Sequence, residues 1–293
     1  MTPLSIEIPT LYDDLWHFDR LFSLWNQASG DELDVTFRFS HCTFLKQNAV
    51  AFLGGLARLI EHRGGRVTFD WTTLQERIRV NLAQQGFLAA FGSPGGPWTG
   101  NSIPYREDRH LDKAGLMDYL KTMWLGRGWI HVSPSLRDEI VGRLWEIYAN
   151  AFEHSQSPVG VFSCGQHFPN KHWLRLSVVD FGVGIPSNVR LFFRAPDLPA
   201  HLALSWAFRP GTTTNPNGMG RGMGLDLLRQ FVTVNKGSLE VFSHEAHSII
   251  ESGRAKMETR TSHFEGTIVN IALRCDDSYY CLASETSPAP PST

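Results

Sequence analysis

The chain has 293 residues, 42% hydrophobic and 19% charged, which is enough apolar material for a sizeable core and argues against global disorder. Its length is that of about two domains. A formal net charge of -2 without a local basic run excludes an overall field for nucleic acid, and there is no apolar stretch of about 18 residues to span a membrane. Met1 to Thr10 lacks a basic-then-apolar leader pattern. Cys42, Cys164, Cys275 and Cys281 are dispersed without a CxxC pair. They predict reduced thiols in a cytoplasmic protein, with no disulfide framework and no zinc site.

Leu11, Leu15, Phe18, Phe22 and Trp25 recur at helical spacing and predict an amphipathic helix over 10–28. Its apolar face is suited to packing on its own domain or on a second copy in a homodimer. Val35, Phe37 and Phe39 alternate with Thr36, Arg38 and Ser40, as in a strand with one buried face. Ala49 to Leu53, continued by Leu56, Leu59 and Ile60, predicts a helix closed by Gly64-Gly65. Val67 to Phe69 reads as a short strand. Thr73 and Glu76 have capping-box spacing before Leu74, Ile78 and Leu82, and Gly86 ends that helix. This order predicts a small α/β domain over 1–91. The breaker run Gly92-Ser93-Pro94-Gly95-Gly96-Pro97 opens a linker over 92–132, with a bridging helix from Leu111 to Trp124. A second domain is expected over 133–281, followed by a Ser/Pro-rich tail, 282–293, expected to be disordered.

The second domain carries the chemistry. Ser133 is placed to cap a helix over 134–155, with Pro134 in its first turn. Leu136, Ile140, Leu144, Ile147 and Ala151 make its core face. Glu146, Asn150 and His154, spaced i, i+4, i+8, form one stripe beside that face. Such a stripe is either a solvated helix edge or the wall of a pocket. As a pocket wall, Asn150 suits one Mg²⁺ position beside phosphates and waters, and Glu146 suits the activation of an attacking water.

Asp180-Phe181-Gly182-Val183-Gly184-Ile185 follows an apolar strand from Trp173 to Val179. The Asp180 carboxylate could accept from an adenine amine, with Gly182 and Gly184 admitting backbone close to the ring; an ordinary Asp-Gly turn has the same pattern. Gly218-Met219-Gly220-Arg221-Gly222-Met223-Gly224-Leu225 runs into a helix, so its N–H groups could face phosphate. It lacks Gly-Lys-Ser/Thr and does not directly follow a strand, so it is neither a P-loop nor a Rossmann turn. Gly266-Thr267 opens a further strand, where the Thr267 hydroxyl could reach a base or its water.

In this order, Glu146-x-x-x-Asn150, Asp180-x-Gly182-x-Gly184, Gly222-x-Gly224-Leu225 and Gly266-Thr267 resemble the N, G1, G2 and closing motifs of the GHKL (histidine-kinase-like, Bergerat-fold) ATPases. Gly237 to Val241 resembles the strand that follows the G2 helix in those domains. The resemblance spans about 133–275 and implies an α/β protein whose C-terminal half is a two-layer sandwich, a mixed sheet covered by helices. It implies ATP with Mg²⁺. Asn150 would hold the metal, Glu146 would be the general base, and Asp180 would read adenine. Gly182 and Gly184 would line the base pocket, and Gly220, Gly222 and Gly224 would meet the phosphates. Ile185, Arg221, Met223, Leu225 and Thr267 are carried as nucleotide contacts with their motifs, and Pro186 to Gly220 as an ATP lid. Many histidine kinases have a basic residue three positions after the N-box asparagine; here it is Glu153, which leaves His154 or Arg221 to supply a positive partner. The first 91 residues resemble STAS domains of anti-sigma-factor antagonists. Lys46 and Gln47 stand where phosphorylated members have Asp-Ser, so the phospho-switch is not implied.

Three functions fit. The first is a slow regulatory ATPase whose lid closure controls the STAS-like half or a protein partner in a bacterial-type pathway. The second is a serine kinase of the anti-sigma type, and the third a non-catalytic nucleotide-dependent interaction module. The short segment over about 105–132 cannot hold the helical hairpin of a self-acting histidine kinase. A gyrase role lacks its transducer domain and its charge.

Overall fold

The computed structural model describes residues 1–94, 100–209, 212 and 224–286. In chain order the elements are β1 (Thr2–Glu7), α1 (Leu15–Gln27), β2 (Leu33–Arg38), α2 (Gln47–His62), β3 (Arg66–Asp70), α3 (Glu76–Gln84) and α4 (Phe87–Ala90). Then follow β4 (Ser102–Asp108), α5 (Lys113–Asp118), β5 (His131–Val132), α6 (Pro134–His154), β6 (Val161–Phe168) and β7 (Trp173–Asp180). The last are α7 (Gly184–Phe193), α8 (Ala200–Ala207), α9 (Gly224–Val234), β8 (Ser238–Glu251), β9 (Arg254–Arg274), β10 (Tyr279–Tyr280) and α10 (Ala283–Thr286). None of the described helices is long and apolar enough to cross a membrane.

The N-terminal strands pair in parallel in the order β1-β2-β3. β1, with Pro3 inside it and Pro9 just beyond its end, escapes a period-2 reading. The expected helix over 10–28 begins later, at Leu15, because the Asp14 carboxylate caps it by accepting from the His17 N–H at 3.2 Å. The apolar face of α1 is buried inside its own chain: the Phe18 ring lies 4.2 Å from that of Phe242, and Phe22 stacks on Phe264. The capping box at Thr73 and Glu76 does not form. The Thr73 hydroxyl instead accepts from the Phe39 N–H at 2.8 Å and donates to the Asp70 carbonyl, and α3 starts without a side-chain cap. Gly64 and Gly86 close their helices with φ of 76° and 75°, a region open to glycine at little cost.

The second sheet has the order β4-β6-β7-β9-β8, and every pairing in it is antiparallel. The mixed sheet implied by the resemblance is therefore replaced by an antiparallel one in the described residues. Ser102–Asp108, inside the stretch read as a linker, forms one of its edges. Side chains alternate across a strand, and both faces are buried. Leu174, Leu176, Val178, Ile271 and Leu273 face a front core with Ile140, Leu144, Leu228 and Phe231 from α6 and α9. Phe162, Val179, Phe181, Phe242, Phe264 and Ile268 face a back core shared with α1 and α2.

α2 explains that second core. Its sequence is apolar nearly all round, and the helix is buried between the two sheets. Gly54 and Gly55 permit the approach. A Cβ on Gly54 would stand 2.0 Å from the Tyr105 hydroxyl, and one on Gly55 2.1 Å from Phe181 Cε2. A polar line crosses the same interface. Gln47 donates to the Ser177 hydroxyl at 3.3 Å, which donates to Asn270 Oδ1 at 2.7 Å. Asn270 donates to Glu240 at 3.2 Å, and His247 sits 3.0 Å from both Glu240 and Glu258. Arg260 completes the line with bonds of 2.7 and 2.9 Å to Asp19 of α1. Asp13 accepts from both Lys46 and Arg175, joining the same two halves.

Candidate functional site

Helix α6 begins as its sequence dictates. The Ser133 hydroxyl accepts from the Leu136 N–H at 3.1 Å, and Pro134 occupies the first turn. Leu136, Ile140, Leu144 and Ile147 are buried. Glu146 is half-buried and accepts from Arg143 Nη1 at 2.9 Å, while Asn150 is exposed. The C-terminal end of α6 is tied to the turn after β7. The His154 carbonyl accepts from the Asn188 amide at 2.9 Å, and the Ser155 carbonyl from the Val183 N–H at 2.7 Å. With a helical rise of about 1.5 Å per residue, Asn150 and Glu146 stand roughly 7.5 and 13.5 Å back along the axis from that junction.

Asp180 ends β7, directly across from Thr267 on β9. It is buried, and its Oδ1 accepts from the Gly182 N–H at 3.0 Å. Burial pushes its carboxyl up to about 7, against the opposing pull of the Gly182 N–H and of the Thr267 N–H and hydroxyl. The two glycines are required by the chain itself. A Cβ on Gly182 would stand 1.9 Å from the Ser155 carbonyl oxygen. One on Gly184, where φ is 73°, would stand 2.3 Å from the Glu265 carbonyl oxygen. The motif's spacing thus lets the turn lie flat between the end of α6 and β9.

Two residues outside the sequence motifs hold this turn. The Ser243 hydroxyl accepts from the Ile185 N–H at 3.0 Å, donates to the Gly266 carbonyl at 3.0 Å and lies 3.2 Å from the Thr267 hydroxyl. His244 Nε2 is 2.8 Å from the Val183 carbonyl oxygen. A serine and a histidine inside an apolar strand carry no spacing signal. Their roles arise from the bulge that shifts the β8–β9 register at Ser243 and His244.

A family model for histidine kinase-, DNA gyrase B-, and HSP90-like ATPases matches residues 137–276. Those residues form a domain of that ATPase family. The five-stranded sheet with its covering helices has the α/β Bergerat fold of such domains. Among solved structures, the B-subunit of the DNA gyrase from Myxococcus xanthus matches at 14% identity and a TM-score of 0.27. That match covers 57% of this chain and 44% of that one. Comparison with curated proteins found no match.

Within the ATPase domain the structure brings Asp180, Gly182, Gly184, Ile185 and Thr267 together with the C-terminal end of α6. Glu146 and Asn150 lie along the same helix as His154. Gly224 and Leu225 open α9. Gly220, Arg221, Gly222 and Met223 lie outside the described residues. The expected lid is not a plain loop, since α7 and α8 occupy its first part. Thr212 bonds back to the Arg209 carbonyl at 2.8 Å, and the remainder of 210–223 is outside the described residues.

Proposed function

We propose that the chain binds ATP with Mg²⁺ and is a slow regulatory ATPase. The observation that carries this reading is Asp180: a buried carboxylate at a strand end, beside a glycine turn and Thr267, in a domain of an ATPase family. A buried carboxylate needs a partner, and an adenine amine donates where Asp180 can accept. Asn150, exposed on α6, is read as a Mg²⁺ ligand, and the metal would offset phosphate charge. Glu146 is read as the group that orients and deprotonates water; its bond to Arg143 would open as a nucleotide enters. The Gly220–Leu225 segment is read as the phosphate loop at the start of α9.

The regulatory half of the reading rests on Phe181, which stands between Asp180 and Gly182. Its ring meets Phe52 of α2 at 5.2 Å and leaves no room for a side chain at Gly55. The turn that would read adenine is therefore packed on the N-terminal half, which we read as a STAS-like signalling unit. Bound nucleotide can change that unit only if it favours one packing over another. Serine phosphorylation of a protein partner and nucleotide-dependent docking without catalysis are the competing outcomes.

γ-Labelled ATP with Mg²⁺, supplied to the full chain alone and with candidate partners, separates them. Free phosphate that disappears in Glu146→Ala supports the ATPase, and label on a partner serine supports the kinase. Tight binding with neither supports the docking module. Failure of the wild type to bind ATP at all would refute all three.

A further inference from the structure

His244, Glu245 and His263 form a second cluster behind the glycine turn. One ring nitrogen from each histidine and one Glu245 carboxylate oxygen lie within 4.8 Å of one another. His263 Nδ1 is 2.9 Å from Glu245 Oε1, and the two imidazole rings are 5.1 Å apart. Consecutive residues on a regular strand point to opposite faces. His244 escapes that rule because it sits at the bulge with φ of 55°, so neighbours in sequence become neighbours in one site.

The hydrogen bonds define the tautomer of His244. Arg190 Nη1, 3.3 Å from Nδ1, can only donate, so Nδ1 accepts. The proton is then on Nε2, which faces the Val183 carbonyl at 2.8 Å and the Ser187 hydroxyl at 3.3 Å. A ring held by a carbonyl on one nitrogen, with a lone pair on the other, is the arrangement of metal-ligating histidines. Arg190 has a second anchor, from its Nε to the Leu198 carbonyl at 2.8 Å. Glu245 and His263 are 38% and 40% exposed, which provides an entry path.

We propose that His244, Glu245 and His263 bind a transition-metal dication of the Zn²⁺ class. Two imidazoles and one carboxylate are a donor set that suits such an ion and leaves a fourth position for water. The site uses none of the residues assigned to ATP, although His244 also bonds the glycine turn.

The test is calorimetric titration of the tag-free full chain with Zn²⁺, in excess Mg²⁺ and without nucleotide. Co²⁺ absorption serves as a second probe. One equivalent should bind. Loss of an outer partner of a metal site costs 10–100-fold in affinity, so His263→Ala and Glu245→Gln should each weaken binding at least about 10-fold while circular dichroism stays unchanged. Arg190→Gln removes the competing cation and should tighten binding. Cys281→Ser, at the one partly exposed cysteine, should bind as the wild type does. The proposal is overturned if no equivalent binds, if His263→Ala and Glu245→Gln bind like the wild type, if only Cys281→Ser loses the ion, or if Arg190→Gln gains nothing.

Discussion

At Asp180 burial and hydrogen bonding pull in opposite directions, and burial wins. A carboxyl whose folded value is about 7 against a reference of 3.8 favours folding while it is protonated. That contribution is complete below pH 3.8 and is lost as pH rises through 7. The loss is at most about 4 kcal/mol, at about 1.36 kcal/mol for each tenfold change in proton affinity. Asp180→Asn should therefore unfold with less pH dependence than the wild type between about pH 4 and 8, and should be the more stable of the two at about pH 8. Urea titrations across that range read this directly. An adenine amine prefers the ionised carboxylate, so the ratio of wild-type to Asp180→Asn affinity for ADP should rise with pH and level off above about 7. A flat ratio would remove Asp180 from the base pocket. Taking the ratio cancels titration of the phosphate itself.

The elements around the site were unevenly legible. α6 declared itself through Ser133, Pro134 and its apolar spacing, and β7 and the turn after it through an apolar strand meeting two glycines. These signals are local, so they survive folding. The glycine requirement at Gly54 and Gly55 was invisible, because it arises from Tyr105 and Phe181, far along the chain. The Thr73 cap failed for the same kind of reason: the Phe39 N–H, a distant partner, claimed its hydroxyl. Ser243 and His244 became visible only once the bulge aimed them at the turn. Gly55→Ala tests the most consequential of these hidden contacts. Its methyl must displace Phe181 or α2, at a cost of about 1–3 kcal/mol typical of overpacking. Thermal melting should show that loss. Nucleotide affinity should fall with it, whereas Ala57→Gly, a buried site elsewhere on α2, should lower stability and leave affinity alone.

For the whole molecule, the decisive fact is that, among the described residues, both faces of the ATPase sheet carry a buried core. Cutting the chain to residues 133–286 would strip the back cover from Phe162, Val179, Phe181, Phe242, Phe264 and Ile268. It would also remove the edge strand Ser102–Asp108. A patch of that kind and an unpaired edge are both aggregation hazards. The fragment should elute as large oligomers that bind a hydrophobic dye, whereas the intact chain should not; a well-behaved monomeric fragment would contradict the shared core. Phe181 gives that shared core a thermodynamic consequence. A side chain squeezed by α2 on one side and continuous with the glycine turn on the other would make the two ends of the molecule reciprocal if that turn holds nucleotide. If nucleotide alters how tightly α2 is held, then whatever grips or loosens α2 must alter nucleotide affinity by the same factor. A protein acting on the first 91 residues would thereby set the occupancy of a pocket it never touches.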